Sequence, residues 1–430
     1  MKKKMNIALV GFGNIGSYFY KFLKNNKLNL SSKTGIVPHI NYISARSKSK
    51  KRNIRIPSKL WVKNCNDLTK KKDVDLIIEL IGGSDGPAKK LVFEALKNKK
   101  HVITANKALV AKYGNELSKI AEKNKVNFEY EAAVCGGIPI IRTIKEGLIA
   151  NNIFKIYGIL NGTSNFILSS MDKEKLDYNQ ALHKAKKLGY AESNPSSDLN
   201  GSDVASKLNI LSSLAFNTFI DNKNIYVEGI NSIDKNDINN ANLLGYKIKL
   251  LGVAEKIKDK ITQRVHPSLI KNSSYVAKID GVLNAVIADS YPVGQSVLQG
   301  EGAGPGPTAS ALISDLCSIL RGNIKFPFVL SSSQRKKANF NLIGNTNFSV
   351  YLRLDVKDKH GVLSDITKIM ARHKVSIKRL IQKTFRKKNY ASIIIISHLA
   401  KDSSLRKMLI DLNKKKYFVK KPKLIRIENI

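Results

Sequence analysis

The stretch Asn6–Gly16, NIALVGFGNIG, carries the clearest fold signal in the chain. Ile7 to Val10 form an unbroken apolar run, the pattern of a strand buried on both faces. Gly11, Gly13 and Gly16 follow at G-x-G-x-x-G spacing, and the chain then takes helical spacing through Tyr18, Phe19, Phe22 and Leu23. In that setting the first glycine makes a tight turn, the second lets the backbone approach a pyrophosphate, and the third lets helix and strand pack. The helix N-terminus then faces phosphate charge. A dinucleotide site is expected at Gly11, Phe12, Gly13, Asn14, Ile15 and Gly16.

Further along the chain, HINYISARS (39–47), VDLIIELIGG (74–83) and HVITANK (101–107) read as further strands, and GPAKKLVFEALKNKK has helical spacing. Apolar runs alternating with amphipathic helices predict an α/β, Rossmann-type parallel sheet reaching to about residue 130. The end of the second strand bears on the cofactor. A carboxylate there would hold the ribose 2′-hydroxyl of NAD, but this strand runs into SARSKSKKR and no acid precedes Asp67. Arg46, helped by Lys48 or Lys50, is placed to meet a 2′-phosphate, so NADP(H) is expected ahead of NAD(H), which stays possible. The alternative is that these are surplus cations.

A length of 430 residues allows two or three domains. We divide the chain into 1–135 for the dinucleotide, an α+β region over 136–330, a polar linker over 331–347 (SSSQRKKANFNLIGNTN) and a module over 348–430. The helix near 305–321 is expected to pack back on the first domain. The last module reads strand, helix, strand, strand, helix, strand, a ferredoxin-like order.

No apolar run nears the ~20 residues of a membrane span, and the basic lead MKKKMNIALV passes into a glycine turn without a cleavage site, so a cytoplasmic protein is expected. Cys65, Cys135 and Cys317 are far apart and suit neither a disulfide framework nor a zinc site. Cys135 reads as a buried thiol, with a nucleophile as its alternative. The 74 Lys and Arg against 33 Asp and Glu would suit a nucleic-acid binder. They are spread along the chain rather than gathered with aromatics, so specific nucleic-acid binding is not expected.

Within so basic a chain, GYAESNPSSDLNGSDVASK (189–207) gathers Glu192, Asp198 and Asp203 before Lys207. The spacing predicts a helix from about residue 202, at ~100° per residue. Asp203 and Lys207, four apart, then share a face, and that face lies within the apolar arc of Val204, Leu208 and Leu211. Ser202, Ser206, Asn209, Ser212 and Ser213 take the opposite side. A partly buried Asp–Lys pair is either a structural ion pair or a lysine held to exchange a proton. The acids nearby tip the reading to function, because they suit a substrate bearing an ammonium group.

The pattern A-x-x-x-G-Y-A-E-x-x-P-x-x-D-L-x-G-x-D-x-x-x-K, Ala185 to Lys207, resembles the signature of the homoserine dehydrogenases. GFGNIG, VITANK, EAAVCGGIPI, GILNGTSNFIL and EGAGPGPTASALISDL agree in order, so the resemblance spans about residues 5–330. The tail from about 348 resembles an ACT regulatory domain. The resemblance implies interconversion of L-aspartate 4-semialdehyde and L-homoserine with NAD(P)H, on the route to threonine and methionine. It implies Lys207 as proton donor, Asp203 to orient it and hold substrate, and Lys107 as second catalytic lysine or carboxylate clamp. Glu192, Asp198, Asn161, Gly162 and Thr163 would meet the substrate, and Thr104, Lys107, Gly189, Gly302 and Gly304 the cofactor.

The resemblance also implies a monovalent cation, sodium by expectation, at Glu131 and the carbonyls of Val134, Gly136 and Ile138. Region 136–330 would serve substrate binding and dimerisation in a homodimer or homotetramer. Two positions depart from the family: Asn194 stands where an Asp is commoner, and His360 replaces the usual proline of the ACT turn DKHGVL. Asp358, Gly361, Val362 and Leu363 remain for an L-threonine effector; the alternative is a purely structural module. Rival readings are a phosphorylating semialdehyde dehydrogenase acting through Cys135 and a non-enzymatic binding protein that has kept the fold.

Overall fold

A computed structural model describes residues 3–48, 54–385 and 390–430. The chain opens as strand β1 (Lys4–Val10), helix α1 (Asn14–Thr34), β2 (Val37–Ser44), β3 (Leu76–Glu79), α2 (Pro87–Lys97), β4 (His101–Thr104), α3 (Lys107–Asn124) and β5 (Phe128–Glu129). Among the described residues these strands form one parallel sheet in the order β2-β1-β3-β4-β5. β3 is buried along its whole length, because helices cover both faces. Strand order reverses between β1 and β3, and the crevice beyond the carboxyl ends there is where such sheets bind ligands.

The chain continues through α4 (Ile140–Arg142), β6 (Asn152–Ile159), α5 (Gly162–Lys173), α6 (Tyr178–Lys187), α7 (Ser196–Leu199), α8 (Ser202–Phe216), β7 (Tyr226–Val227) and α9 (Lys235–Leu243). Then come β8 (Tyr246–Ile257), β9 (Lys260–Lys271), β10 (Leu283–Tyr291), β11 (Gly294–Glu301) and α10 (Pro305–Leu320). The C-terminal part is β12 (Asn339–Phe340), β13 (Asn347–Lys357), α11 (Val362–Arg372), β14 (Ile377–Phe385), β15 (Tyr390–Ser397), β16 (Ala400–Lys401), α12 (Asp402–Asn413) and β17 (Lys423–Ile427).

The C-terminal sheet runs β17-β13-β15-β14, the ferredoxin-like order of an ACT domain, and it is not separate from the sheet before it. β17 pairs in parallel with β9, so β11-β10-β6-β8-β9 and the ACT strands make one continuous sheet. β9 also receives β12 at Lys260–Ile261 and β7 at Arg264–Val265, beside β17 at Ser268–Leu269. Three short parallel strands from distant segments therefore cover one edge of β9. That leaves no open ladder where the two halves meet.

α10 lies against α1, with Leu312, Leu316 and Ile319 packed among Phe19, Tyr20 and Leu23. The segment expected as a linker, 331–347, is a packed strap. Ser332 bonds Glu122 through its backbone N–H (2.9 Å) and hydroxyl (2.6 Å), and buried Arg335 donates to Ser118 (2.6 Å) and stacks 4.0 Å from the Phe328 ring. Ser332 and Arg335 read as solvated because their partners lie some 200 positions away in sequence, whereas Ser333, Gln334, Lys336 and Lys337 are exposed as expected.

α8 also departs from expectation. Ser202 is exposed, but Asn209, Ser212 and Ser213 on the supposedly polar side are buried. α3 packs on one side and β6 and β8 on the other, which encloses this face of the helix. Ser213 donates to the Thr218 carbonyl (2.5 Å), and Asn209 donates to Asn222 (2.8 Å). Among the described residues no helix is long and apolar enough to cross a membrane.

Candidate active site

The glycine turn shows which glycines the protein needs for itself. Gly11 has φ +98°, and a Cβ there would lie 2.3 Å from the Leu80 carbonyl; one on Gly16 would lie 2.3 Å from the Gly11 carbonyl. Gly13 caps α1, has nothing within 4 Å of a notional Cβ, and opens a helix start with no side-chain cap. First and third glycines are thus fixed by internal packing, while the second faces open space. Uncapped N–H groups beside that space suit a phosphate, so the residues fit a dinucleotide.

The Gly11 N–H donates to the Ser44 carbonyl (2.9 Å), which ties the turn to the end of β2. Arg46 follows two residues on and is exposed, as is Lys48; Lys50 lies outside the described residues.

Beneath the turn, Glu79 at the end of β3 is fully buried. Its carboxylate accepts the N–H groups of Ile81 (2.7 Å) and Gly82 (3.1 Å) and the Thr104 hydroxyl (2.5 Å). The Thr104 hydroxyl accepts from the Asn106 N–H (2.9 Å), and Asn106 caps α3 through Leu109 (3.1 Å) and donates to the Gly83 carbonyl (2.7 Å). Thr104, expected against the cofactor, instead has its side chain fully buried and engaged with Glu79. It acts by fixing the start of α3, and hence Lys107. The sequence carries a signal for this in the lone acid closing the apolar run LIIE.

At the centre Asp203 holds two lysines. One carboxylate oxygen meets Lys107 at 2.7 Å and the other meets Lys207 at 2.8 Å. Lys207 is buried and also donates to the Leu160 carbonyl (2.7 Å), whereas the Lys107 side chain is 44% exposed. Asn161 joins the acids: its Nδ2 donates to Asp198 (2.7 Å) and Asp203 (2.8 Å), while its Oδ1 caps α5 through the Ser164 N–H (2.8 Å). The ends of β4 and β6, the end of α7 with residues 200–201, and the first turn of α8 meet here.

The electrostatics follow from the arrangement. Burial alone would raise the Asp203 carboxyl, but Lys207 and Lys107 outweigh it and hold the group well below the usual carboxylate range. Burial would likewise lower Lys207, yet Asp203 prevails and its ammonium is held more firmly than in water. Asp198 goes the other way, raised by burial and then by its neighbour Asp203. One acid is therefore firmly ionised beside one that gains a proton more readily.

Around this centre, the Thr163 hydroxyl donates to the Tyr190 carbonyl (2.7 Å), fixing the turn at Gly189. Notional Cβ atoms on Gly162 and Gly302 would lie 2.6 Å from the Val282 carbonyl and 2.0 Å from Asn284, so both are glycine because neighbouring chain segments touch them. Gly304 caps α10. Glu192 is not brought in: it is exposed and, among the described residues, has no hydrogen bond or ion pair.

Cys135 is buried, accepts from Asn284 (3.6 Å) and has its thiol pushed up by burial, which suits a core thiol and not a nucleophile. The Glu131 carboxylate caps α4, accepting from the N–H groups of Ile141 (2.8 Å) and Arg142 (2.7 Å); the Ile138 carbonyl accepts from Ile140 (2.8 Å). Burial nevertheless raises Glu131 to about 7. Hard cations take oxygen ligands, so by donor type the Glu131 carboxylate and the Val134, Gly136 and Ile138 carbonyls suit one. Among the described residues no cluster of three or more acids, histidines or cysteines forms a metal site.

In the ACT domain Asp358, Gly361 and Leu363 are exposed at the start of α11. Val362, expected with them, is buried in the ACT core, because the first inward position of an amphipathic helix must face its sheet.

Family models for the homoserine dehydrogenase NAD-binding domain, for homoserine dehydrogenase and for the ACT domain match residues 11–131, 139–317 and 350–415. The homoserine dehydrogenase of Neisseria gonorrhoeae is 40% identical over 100% of this chain and 99% of its own; that of Helicobacter pylori is 39% identical over 100% of both. The crystal structure of a homoserine dehydrogenase from Thiobacillus denitrificans superposes with a TM-score of 0.93 at 35% identity, covering 99% of each chain. With the glycine turn and the two-lysine carboxylate in one molecule, this agreement along the whole length decides the matter: the chain belongs to the homoserine dehydrogenase family.

Proposed function

We propose that the chain interconverts L-aspartate 4-semialdehyde and L-homoserine with NADP(H) ahead of NAD(H), in the biosynthesis of threonine and methionine. The observation that carries the reading is Asp203 clamped between Lys207 and Lys107 beside a dinucleotide turn. The bound nicotinamide supplies or accepts the hydride. The residues of the chain handle the proton and the substrate's charges. Lys207, kept protonated by Asp203, donates to the oxygen on which negative charge develops and takes the proton back in the reverse direction. Lys107, on the exposed side of Asp203, holds the substrate carboxylate or shares the proton.

Asp198 and Asp203, aligned by Asn161, receive the substrate ammonium, and exposed Glu192 is the further acid of the set. Exposed Arg46 beyond β2 supports the 2′-phosphate preference. The oxygen donors around Glu131 support a sodium ion there, and the exposed turn Asp358–Gly361 with Leu363 supports L-threonine as an effector at an interface between ACT domains of a dimer or tetramer. The test is steady-state oxidation of NADPH and NADH with aspartate 4-semialdehyde, with and without threonine. We expect a higher kcat/KM with NADPH and inhibition by threonine; no oxidation of either nucleotide overturns the reading.

A further inference from the structure

The seam between the ACT domain and the catalytic part carries a cluster of buried charge that the chemistry above does not use. Arg426 on β17 is 3% exposed. Its Nε donates to Asp402 at the start of α12 (2.8 Å), and its Nη1 donates to Glu228 (3.0 Å) just past β7. Glu228 also accepts the Tyr226 hydroxyl (2.8 Å), and the Tyr226 ring lies against the guanidinium groups of Arg406 and Arg426, each 4.7 Å away. One arginine thus bridges a buried ACT carboxylate and a carboxylate of the catalytic part.

The catalytic side of that bridge runs directly into the active site. The Glu228 N–H donates to the Val265 carbonyl (2.8 Å), the Ile230 N–H donates to the Leu199 carbonyl (2.9 Å), and between them a Cβ on Gly229 would lie 2.1 Å from the Leu199 carbonyl. Gly201, with φ +88°, sits against Val227, Val265 and the Glu228 carbonyl. Leu199 to Gly201 makes up most of the link, Leu199–Ser202, between Asp198 and Asp203, the two acids bridged by Asn161. Shifting Glu228 moves this backbone, because the two chain segments touch without an intervening side chain.

We propose that Arg426 and Glu228 are positioning residues that set the spacing of Asp198 and Asp203 from the ACT side of the molecule. The proposal rests on the substrate role given to those acids above. An ACT movement that draws Asp402 away shifts Arg426 between its two carboxylates and loosens Glu228, so the substrate site, and not the dinucleotide site, registers the change.

The experiment uses the full-length enzyme with Glu228→Gln, Arg426→Met and Arg426→Lys, and with Lys207→Ala as a reference. Glu228→Gln keeps shape and is partly solvated, so folding is retained. We expect Glu228→Gln and Arg426→Met to lower kcat/KM for homoserine by about 10-fold, the scale of mutations that act through an intervening network. The KM for NADP should stay within about two-fold, and Arg426→Lys should recover part of the loss. Equal losses toward both substrates, scaling with a fall in Tm, overturn the proposal by reducing the bridge to a structural ion pair. Unchanged kinetics in Glu228→Gln overturn it while an inactive Lys207→Ala leaves the catalytic reading standing. An active Lys207→Ala overturns that reading and this proposal with it.

Discussion

In the proposed reaction the glycine turn and the two-lysine carboxylate act together, but they are built in opposite ways. The turn is nearly contiguous: residues 10–16 and the backbone at Leu80 suffice to explain each glycine. The carboxylate cluster draws Lys107, Leu160, Asn161, Asp198, Asp203 and Lys207 from separate parts of the chain. The turn works through main-chain shape, so it tolerates changes of side chain but not added bulk. The cluster works through charge balance in a buried place, where removing one member leaves its partners uncompensated. The two regions should therefore fail differently.

The largest effect is expected at the cluster. Lys207→Ala should lower kcat by about 1,000-fold, in the range of general acid–base contributions, while NADPH affinity stays within a few-fold. Parallel loss of NADPH binding in titrations would show that the two regions are not separable. Gly13→Val tests the converse: a side chain in open space should leave Tm nearly unchanged but weaken dinucleotide binding about 10- to 100-fold. Gly11→Ala, whose Cβ meets backbone, should instead lower Tm, and a normal Tm there would break the distinction between packing glycine and ligand-facing glycine.

Arg46→Ala should raise the KM for NADPH about 10-fold and that for NADH hardly at all, the worth of one charge-assisted contact. Equal effects on both nucleotides remove Arg46 from the 2′-phosphate.

The smallest effect concerns Glu131. Its folded value, about 7, lies above that of an unfolded glutamate, so the native state binds more protons between the two and stability falls as pH rises through that interval. Thermal melts in tetramethylammonium buffer should show Tm declining from pH 5 to pH 7, and sodium chloride at equal ionic strength should restore it. An equal restoration by tetramethylammonium chloride would exclude a specific cation.

How much is legible in the sequence follows the same division. The strand–glycine–helix order identifies the first sheet, because its signal is local periodicity and turn chemistry. The four-residue spacing of Asp203 and Lys207 places both on one face of α8, and the salt bridge between them is what that spacing allows. The polar side of α8 misleads, since Asn209 and Ser213 find partners only where α3 and the loop at Thr218–Asn222 pack. Thr104 looks like a ligand contact in the sequence because the buried acid that claims it, Glu79, lies 25 residues earlier. The strap at 331–347 looks like a tether for the same reason.

Local spacing along the chain is enough for the parallel sheet, the glycine turn, the helical Asp–Lys pair and the ferredoxin-like tail. Each depends on residues within a turn or two of one another, where covalent spacing sets geometry. Long-range packing was needed to bring Lys107 and Lys207 to one carboxylate, to let Asn161 bridge two acids, and to continue the catalytic sheet into the ACT sheet through β9 and β17. Those facts rest on contacts between distant segments, set by which faces bury together and by the need to pair every buried charge.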